Sequence, residues 1–474
     1  MPSSFLSNLL LMIFLNLLIK PLAIFGIDAS VQNEVGFVQY GTYFSLLNLS
    51  LILNIFLDLG LNNYTTKQIA QNPELAKRYF GKVFSFRLIL FIVYYLILLL
   101  IGILIGYSSH QMYLLFLLGI NQFLIISIAY CRSHFGGFHF FKLDAIISVM
   151  DRFLLIILAG TILLFPKATF VMTIELFVWI QLICYASTLV IALLLLLKHI
   201  EKPYFEWNIK FSLSLLRKSY PYALLIILMV IYTRIDGVML ERINGPYQAG
   251  IYAQGFRLLD ALYMFGMIFA GLLYPMFSRN LKQSKESVND LLTTSANLLM
   301  GGAIVIVFVT IYNSSYLLSL IYTDYLVAIP AFNWLMLSFL AICMNFIFGT
   351  LLTANGSLKI LNYSSFIGII INVALNLYLI PTRGAEGAAF ATFITQSFTA
   401  VIQFGYCMKL FSIKINKQRV LYYLFLIGGL YVFSASFFNS GYFLFKQLTL
   451  GIALLLLLSF FRVNDLKQLV KSQD

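Results

Sequence analysis

Fourteen apolar runs, each long enough to cross a lipid bilayer, follow one another along this chain with short polar breaks between them. About 20 apolar residues span the hydrocarbon core, because each helical residue advances the chain by about 1.5 Å. Of the 474 residues, 61% are hydrophobic and only 10% are charged. We therefore predict an all-α polytopic membrane protein with about fourteen transmembrane helices. The predicted spans are residues 5–25, 36–58, 83–107, 112–131, 143–164, 170–197, 220–241, 249–277, 290–313, 329–354, 358–380, 386–410, 419–438 and 442–461.

The basic residues lie almost entirely on one side of this predicted topology. Of 31 Lys and Arg residues, 23 lie in or next to one set of alternate loops and the C-terminal tail, 4 lie in the same way on the opposite side, and 4 lie deep within spans. Because cytoplasmic loops carry such an excess, we predict that both termini are cytoplasmic. The net charge of +13 then reflects topology and attraction to anionic inner-leaflet lipids, and it requires no nucleic acid partner.

The motifs of several enzyme and cofactor classes are missing from the sequence. It contains no phosphate-binding loop of the G-x-x-x-x-G-K-[ST] type, and the predicted loops are too short for a catalytic domain. The 4 Cys fall in apolar spans and the 4 His are scattered, so neither set has the spacing of metal ligands. We expect a protein that is not an enzyme, has no cofactor or metal, and draws on gradients or the membrane potential for transport.

Four cations lie inside predicted spans, namely Lys20, Arg152, Arg234 and Arg257. A charge at the centre of a membrane helix costs roughly 3 kcal/mol, so such residues usually face a protein interior or a hydrated cavity. Their distances from the span ends place all four between the bilayer centre and its outer half. This arrangement predicts a buried cationic chamber and an anionic substrate.

Three acids accompany these cations, namely Asp151, Asp236 and Asp260, each within four residues of one of the arginines. One interpretation is a set of internal ion pairs that hold helices together. The other is a hydrated functional cavity, which we favour because Lys20 has no acid within four residues. A diphosphate carries about two negative charges, and Arg can bind phosphate oxygens through two hydrogen bonds where Lys acts as a point charge.

An internal repeat relates the first and second halves of the chain. An offset of 214 residues aligns Gly36 and Gly41 with Gly250 and Gly255, and the same offset places Lys20 on Arg234. Both segments are predicted to begin on the cytoplasmic side, as in transporters built from parallel repeats. We therefore predict two six-helix lobes followed by two further helices. The predicted divisions are residues 1–197, a cytoplasmic linker at 198–219, residues 220–410, and residues 411–474.

A short segment, Asp58-Leu59-Gly60-Leu61, closes the second predicted span at its cytoplasmic end. Asp58 could form part of a cytoplasmic gate, with Gly60 as a flexible helix end. Equally, Gly60 could be an ordinary C-terminal helix cap in the left-handed conformation.

Several short motifs resemble those of bacterial polysaccharide transporters. They are Val35-Gly36-Phe37-Val38-Gln39-Tyr40-Gly41-Thr42-Tyr43, Asp58-Leu59-Gly60-Leu61, Arg234-Ile235-Asp236, Ala249-Gly250-Ile251-Tyr252, Tyr274-Pro275, Leu352-Thr353-Ala354-Asn355-Gly356, and Pro381 through Ala391. The chain resembles the oligosaccharide and O-antigen flippases of the multidrug/oligosaccharidyl-lipid/polysaccharide (MOP) superfamily.

This resemblance implies a flippase for polysaccharide and lipopolysaccharide biosynthesis in a bacterial inner membrane. Its cargo would be an undecaprenyl-diphosphate-linked oligosaccharide such as an O-antigen repeat unit, moved by alternating access. Lys20, Arg234 and Arg257 would engage the diphosphate and the sugar, and Arg152 is carried over less directly because its span has no family motif. The implied partners are the lipid-linked glycan and polysaccharide polymerase or glycosyltransferase machinery.

Three other functions stay open at this point. A lipid II flippase would have the same fold and a related cargo. A cation-coupled multidrug or metabolite antiporter is disfavoured because the first predicted span has no acid before Asp28. A membrane glycosyltransferase or O-antigen polymerase is disfavoured because Asp28 and Glu34, in the first predicted external loop, do not form a D-x-D motif.

Overall fold

A computed structural model of the protein describes residues 3–165, 171–200, 209–413, 417–437, 443–458 and 460. Within these ranges the chain is almost entirely helical and contains no β-strand. It forms two compact units, Met1–Gly250 and Ile251–Asp474. The prediction of an all-α polytopic fold is confirmed. Below, "inner" denotes the face where the basic residues concentrate, and "outer" denotes the opposite face.

Over its described residues, the first unit contains nine α-helices. They are α1 (Ser3–Pro21), α2 (Ala29–Leu53), α3 (Ile55–Asp58), α4 (Leu61–Gln71), α5 (Ala76–Ile105), α6 (Ser109–Gly137), α7 (Phe141–Leu164), α8 (Ile174–Leu197) and α9 (Ile209–Asn244).

The tenth helix crosses the boundary between the units, and the remaining helices belong to the second unit. They are α10 (Pro246–Asn280), α11 (Lys285–Tyr312), α12 (Ser314–Ser319), α13 (Ile329–Ala354), α14 (Leu358–Phe411), α15 (Lys417–Phe437) and α16 (Phe443–Leu457).

All fourteen predicted spans coincide with helices over the described residues. Over the described residues, ten helical segments are apolar and long enough to cross a membrane. Leu358–Phe411 contains two predicted spans, and Phe14–Asp58 contains the second predicted span and residues 14–25 of the first. The other two predicted spans correspond to α9 and to the shorter apolar helix α16.

The predicted loop between the first two spans is wrong. After α1 the chain continues through a π-helix, Leu22–Asp28, directly into α2. The helical conformation is broken only at Gly36, whose φ of 78° and ψ of 174° favour glycine. In the sequence, the first polar residues after the apolar run mark the end of the first predicted span. In the structure Asp28 is buried among protein groups and does not lie in an external loop. Similarly, spans 11 and 12 are joined within α14, which is interrupted at Gly384 (φ 53°, ψ −129°).

The division into two lobes stays a prediction. Residues 201–208 of the predicted linker lie outside the described ranges, and α9, the first helix of the predicted second lobe, packs against α2 in the first unit.

The two C-terminal helices, α15 and α16, pack against α11 in the second unit. Their apolar contact includes Val305, Leu426 and Leu455. A buried chain of hydrogen bonds runs alongside, in which Asn313 donates to Gln447 (2.8 Å) and Gln447 donates to Ser434 (2.8 Å). Polar groups buried in this way fix the relative orientation of the three helices.

Candidate substrate-binding site

Lys20 and Arg152 lie next to each other where α1 packs against α7. The amide of Asn16 on α1 donates a hydrogen bond to the Ser148 hydroxyl on α7, at 3.0 Å. Lys20 and Arg152 follow these two residues by one helical turn each, so their side chains lie over the same contact. The structure thus brings together two of the four cations that the sequence predicted as site residues.

A third cation, Arg132 on α6, completes the positive charge around Lys20. Arg132, Arg152 and Asp151 are the charged groups whose electrostatic field acts on the Lys20 ammonium. Arg132 is paired with Asp144, with Nε and Oδ1 2.6 Å apart. Lys20 itself is half-buried and forms no ion pair with any described residue. We call Lys20, Arg132 and Arg152 the cation cluster.

Arg152 is held loosely compared with a structural ion pair. Its Nε lies 3.6 Å from Asp151 Oδ2, and 34% of its side chain is exposed. The guanidinium lies over the Tyr185 ring, with 5.9 Å between its carbon and the ring centroid. Asp28 and the Tyr43 hydroxyl also act on it electrostatically. A polar surround of this kind lowers the cost of a cation within the membrane and leaves part of it accessible.

Buried polar groups continue from the cluster towards α8. Gln181 on α8 donates to the Tyr43 hydroxyl at 2.8 Å, and both side chains are buried. Asp28, at the end of the π-helix, is buried beside Arg152. Sequence reasoning placed Asp28 outside the membrane, so the argument that the first span contains no acid does not hold.

Arg234 and Asp236 lie on α9. They are not among the charged groups that act electrostatically on Lys20, which belong to α6 and α7. Asp236 is fully buried and Arg234 is half-buried, and each has an interaction partner. Gly237, the next residue, packs against Phe44 and Asn48 of α2, and a methyl group there would overlap both side chains.

Arg257 and Asp260 belong to the second unit. They lie one turn apart on α10, both half-buried, and each has an interaction partner. The roles of these two residues, like those of Arg234 and Asp236, stay predictions.

Asp58, the gate candidate, takes part in an ion pair that sequence reasoning missed. Asp58 Oδ1 lies 2.8 Å from Arg87 Nη2, and the same nitrogen donates to Asn62 Oδ1 at 2.6 Å. Arg87 also donates to the Ile126 carbonyl at 3.2 Å and lies over the Tyr130 ring at 4.5 Å. Only 2% of its side chain is exposed. Its position inside the predicted third span was the available signal, but it was counted among the cytoplasmic loop cations.

Gly60 follows in the left-handed conformation, with φ 84°, directly after Leu59 with φ 46°. These two residues separate α3 from α4, so the geometry is that of a helix end where glycine is favoured. The gate role of Asp58 and Gly60 remains a prediction.

The outer end of α2 is closed against the start of α10 by main-chain contact. A methyl group on Gly41 would overlap the Pro246 carbonyl, and one on Gly250 would overlap the Phe37 carbonyl. The Gln32 amide donates to the Gly250 carbonyl at 2.8 Å in a buried hydrogen bond. We call these contacts the outer seal. The glycines come from the two copies of the predicted repeat, although sequence reasoning did not anticipate their contact.

A second polar contact lies close to the outer seal. Arg242 forms two hydrogen bonds with Glu241 and lies 4.5 Å from the centroid of the Tyr107 ring. Gln111, in the first turn of α6, donates to Glu241 at 2.9 Å. Sequence reasoning treated Arg242 as an ordinary loop cation. Its immediate neighbour Glu241 was the only local signal.

Known proteins share both sequence and fold with this chain. The family model described as "Polysaccharide biosynthesis protein" matches residues 5–281. A segment of 196 residues is 27% identical to an uncharacterized membrane protein of Methanocaldococcus jannaschii, and it covers 39% of this chain and 43% of that protein. The chain thus matches less than half the length of this curated relative.

Two solved structures show the same fold at low sequence identity. The lipid II flippase MurJ, in an inward closed conformation, superposes with a TM-score of 0.73 and 15% identity over 95% of this chain and 98% of its own. An inward-facing multidrug resistance MATE family transporter of the MOP superfamily gives a TM-score of 0.59 and 14% identity over 85% and 94%. Both are transport proteins rather than enzymes. The chain is therefore a multi-pass membrane protein that belongs to the polysaccharide biosynthesis protein family and has the fold of the MOP superfamily transporters.

Proposed function

We propose that this protein is a flippase that moves an undecaprenyl-diphosphate-linked oligosaccharide, such as an O-antigen or related polysaccharide repeat unit, across the bacterial inner membrane. The observation that carries the proposal is the cation cluster, in which Lys20 lacks an ion-pair partner among the described residues and Arg152 is one-third exposed. Family membership supports a role in polysaccharide biosynthesis.

The cluster suits a diphosphate for electrostatic reasons. Asp151, Asp144 and Asp28 are the carboxylates near the two arginines, and Lys20 is the cation of the cluster that has no ion-pair partner among the described residues. An anionic ligand removes the cost of holding that charge away from bulk water. Arg152 can present two donors to phosphate oxygens while Lys20 supplies a point charge. A role in helix packing alone does not account for a lysine at this depth that has no ion-pair partner among the described residues.

Alternating access requires that one face be closed while the other is open. Support for this part of the proposal comes from the outer seal, which joins α2 to the outer end of α10 without charged groups. Asp58 and Gly60 are the proposed inner gate. Both termini are proposed to be cytoplasmic, with anionic inner-leaflet lipids against the basic face and with glycosyltransferase or polymerase machinery supplying or consuming the glycan.

The test is a flipping assay in proteoliposomes. The substrate is a fluorescent undecaprenyl diphosphate carrying an oligosaccharide, and a reductant that cannot cross the bilayer reports the amount in the outer leaflet. We expect Lys20→Ala and Arg152→Ala each to lower the flipping rate at least about tenfold, because each removes a charge-assisted contact worth about 1.5–3 kcal/mol. The matched control is Lys142→Ala, which removes an exposed cation from the same helix as Arg152 and should flip at the wild-type rate. Wild-type flipping by the Lys20→Ala, Arg152→Ala double variant would falsify the site assignment.

Two further substrates define additional arms of the same assay. Lipid II carries the same lipid diphosphate with a different sugar, so its transport at the higher rate would change the cargo but keep the site. An ion-coupled antiporter is favoured by one observation, the buried Asp28 beside Arg152. Uptake of organic cations driven by a proton or sodium gradient, together with no flipping of either lipid, would replace the flippase proposal.

A further inference from the structure

A separate cavity lies at the outer ends of α11 and α16, formed by the second unit alone. Its volume is about 520 Å³, which falls in the range of small-molecule sites. Aromatic rings and neutral polar groups line it: Tyr312, Asn313, Ser315, Tyr316, Ser319, Phe443, Leu444 and Phe445. None of these lining residues is charged, so the cavity is unsuited to the diphosphate that the cation cluster is proposed to bind.

The polar floor of the cavity is oriented by buried hydrogen bonds. The Asn313 amide donates one hydrogen to the Val309 carbonyl (2.8 Å) and the other to Gln447 Oε1 (2.8 Å). Gln447, itself fully buried, donates onward to Ser434, which donates to the Leu430 carbonyl. Since both hydrogens of the Asn313 amide are used inside the bundle, its carbonyl oxygen is the acceptor that it can offer to a ligand.

The hydroxyl groups on the cavity wall complement this acceptor. Ser319 donates its hydrogen to the Tyr316 carbonyl at 2.8 Å, so its oxygen can accept a hydrogen bond from a ligand. The hydroxyls of Tyr312, Tyr316 and Ser315 can each donate or accept. The cavity can therefore pair with several hydroxyl groups at once, without charge.

The aromatic walls are supported from behind. Phe443 is buried and stacks on Phe433, with ring centroids 6.4 Å apart and planes within 6°. Tyr312 stacks on Phe308 at 6.1 Å and 12°. Tyr316 and Phe445 are more exposed and form the rim. Rings held in this way are preorganised, so a ligand that stacks on them needs to immobilise little protein.

Interfacial aromatic residues commonly anchor a helix at the membrane surface, and this accounts for exposed rings such as Tyr316 and Phe445. It does not account for the Asn313 amide, which is held by two buried hydrogen bonds at the base of a cavity. An acyl chain there would offer no hydrogen-bond donor to the Asn313 carbonyl, which is costly. A sugar ring has both an apolar C–H face for the aromatic rings and hydroxyls for the polar groups.

We propose that this cavity binds a neutral sugar residue at the outer face. The ligand class follows from the lining alone. That the sugar belongs to the translocated glycan rests on the proposed function, and the site would then hold the head group after it has crossed.

The experiment uses the full-length protein in nanodiscs and methyl glycosides of glucose, galactose and N-acetylglucosamine, measured by saturation-transfer NMR. We expect at least one glycoside to bind, and we expect Tyr316→Ala and Ser319→Ala each to weaken binding about tenfold through loss of stacking or of a hydrogen bond. The matched control is Tyr378→Ala, which removes a tyrosine that is 77% exposed on α14, away from the cavity, and should bind as the wild type does.

Several results would overturn the proposal. The first is the absence of saturation transfer from any glycoside, and the second is equal binding by the wild type and both cavity variants. The third concerns native mass spectrometry: the wild type retains a lipid that Tyr316→Ala loses, and an added glycoside does not displace that lipid. The variant Lys20→Ala separates failure of the sugar-site proposal from failure of the flippase proposal, because the glycosides carry no phosphate for Lys20 to bind. We expect Lys20→Ala to bind them normally while it fails to flip lipid.

Discussion

Two arginines in the first unit, Arg87 and Arg152, lie in similar helices but in different surroundings. Arg87 is 2% exposed, with Asp58 at 2.8 Å, two further hydrogen bonds and an aromatic ring over its guanidinium. Arg152 is 34% exposed, its carboxylate is 3.6 Å away, and its electrostatic field acts on Lys20, which has no ion-pair partner within the part of the chain that the structure describes. Since both are cations inside helices, the sequence pattern alone does not distinguish them. This difference in surroundings underlies our proposal that Arg87 stabilises the fold and that Arg152 is available to a ligand.

The largest expected effect comes from Arg87→Ala. Removal of one partner from a buried ion pair costs about 3–5 kcal/mol, because Asp58 and Asn62 lose the guanidinium they surround. We expect a lower unfolding temperature in detergent and much less protein in the membrane. The double variant Arg87→Met, Asp58→Leu should recover part of the loss, because it removes both charges. If Arg87→Ala unfolds at the wild-type temperature but does not flip lipid, the comparison fails and Arg87 belongs with the site.

An intermediate effect is expected from Arg242→Ala. Its side chain is 29% exposed, whereas its partner Glu241 is 1% exposed and keeps only the hydrogen bond from Gln111. A buried acceptor that loses a partner costs about 1–3 kcal/mol, so the unfolding temperature should fall less than in Arg87→Ala. Arg383→Ala is the control, since it removes an exposed cation on the outer side and should leave unfolding unchanged. If Arg242→Ala unfolds at as low a temperature as Arg87→Ala, the exposed fraction of the arginine side chain does not predict the loss of stability at these two sites.

The smallest effect on stability is expected from Arg152→Lys, which keeps the charge but loses the two-pronged geometry and the contact with Tyr185. The unfolding temperature should stay at the wild-type value while the flipping rate falls several-fold. Lys20→Arg is the paired control, because a point charge replaced by a planar cation at that position should cost less. Flipping by Arg152→Lys at the full wild-type rate would mean that charge alone suffices.

Much of the fold could be predicted because the lipid bilayer constrains the sequence directly. Runs of apolar residues and the bias of basic residues are both local features, and the predicted helices follow from them. The errors arise where a helical segment is surrounded by other parts of the protein rather than by lipid. In the sequence Asp28 marks the end of an apolar run, yet in the structure it is buried in protein and continues the helix.

The site was predicted in part for the same reason. Lys20 and Arg152 were recognisable as cations within spans, but their proximity depends on how α1 packs against α7, which no local pattern encodes. Arg132 joins them from a helix end where basic residues are ordinary. The seal at Gly41 and Gly250 required the three-dimensional contact of two segments that the sequence related only by similarity.

The seven-residue π-helix from Leu22 to Asp28 begins two residues after Lys20. A π-helix carries extra residues per turn, so its conversion to α geometry shifts the register of whatever follows. One residue of register corresponds to about 100° of rotation about the helix axis. A change of winding in this stretch would therefore turn Asp28 relative to Lys20 about the axis of the first transmembrane helix.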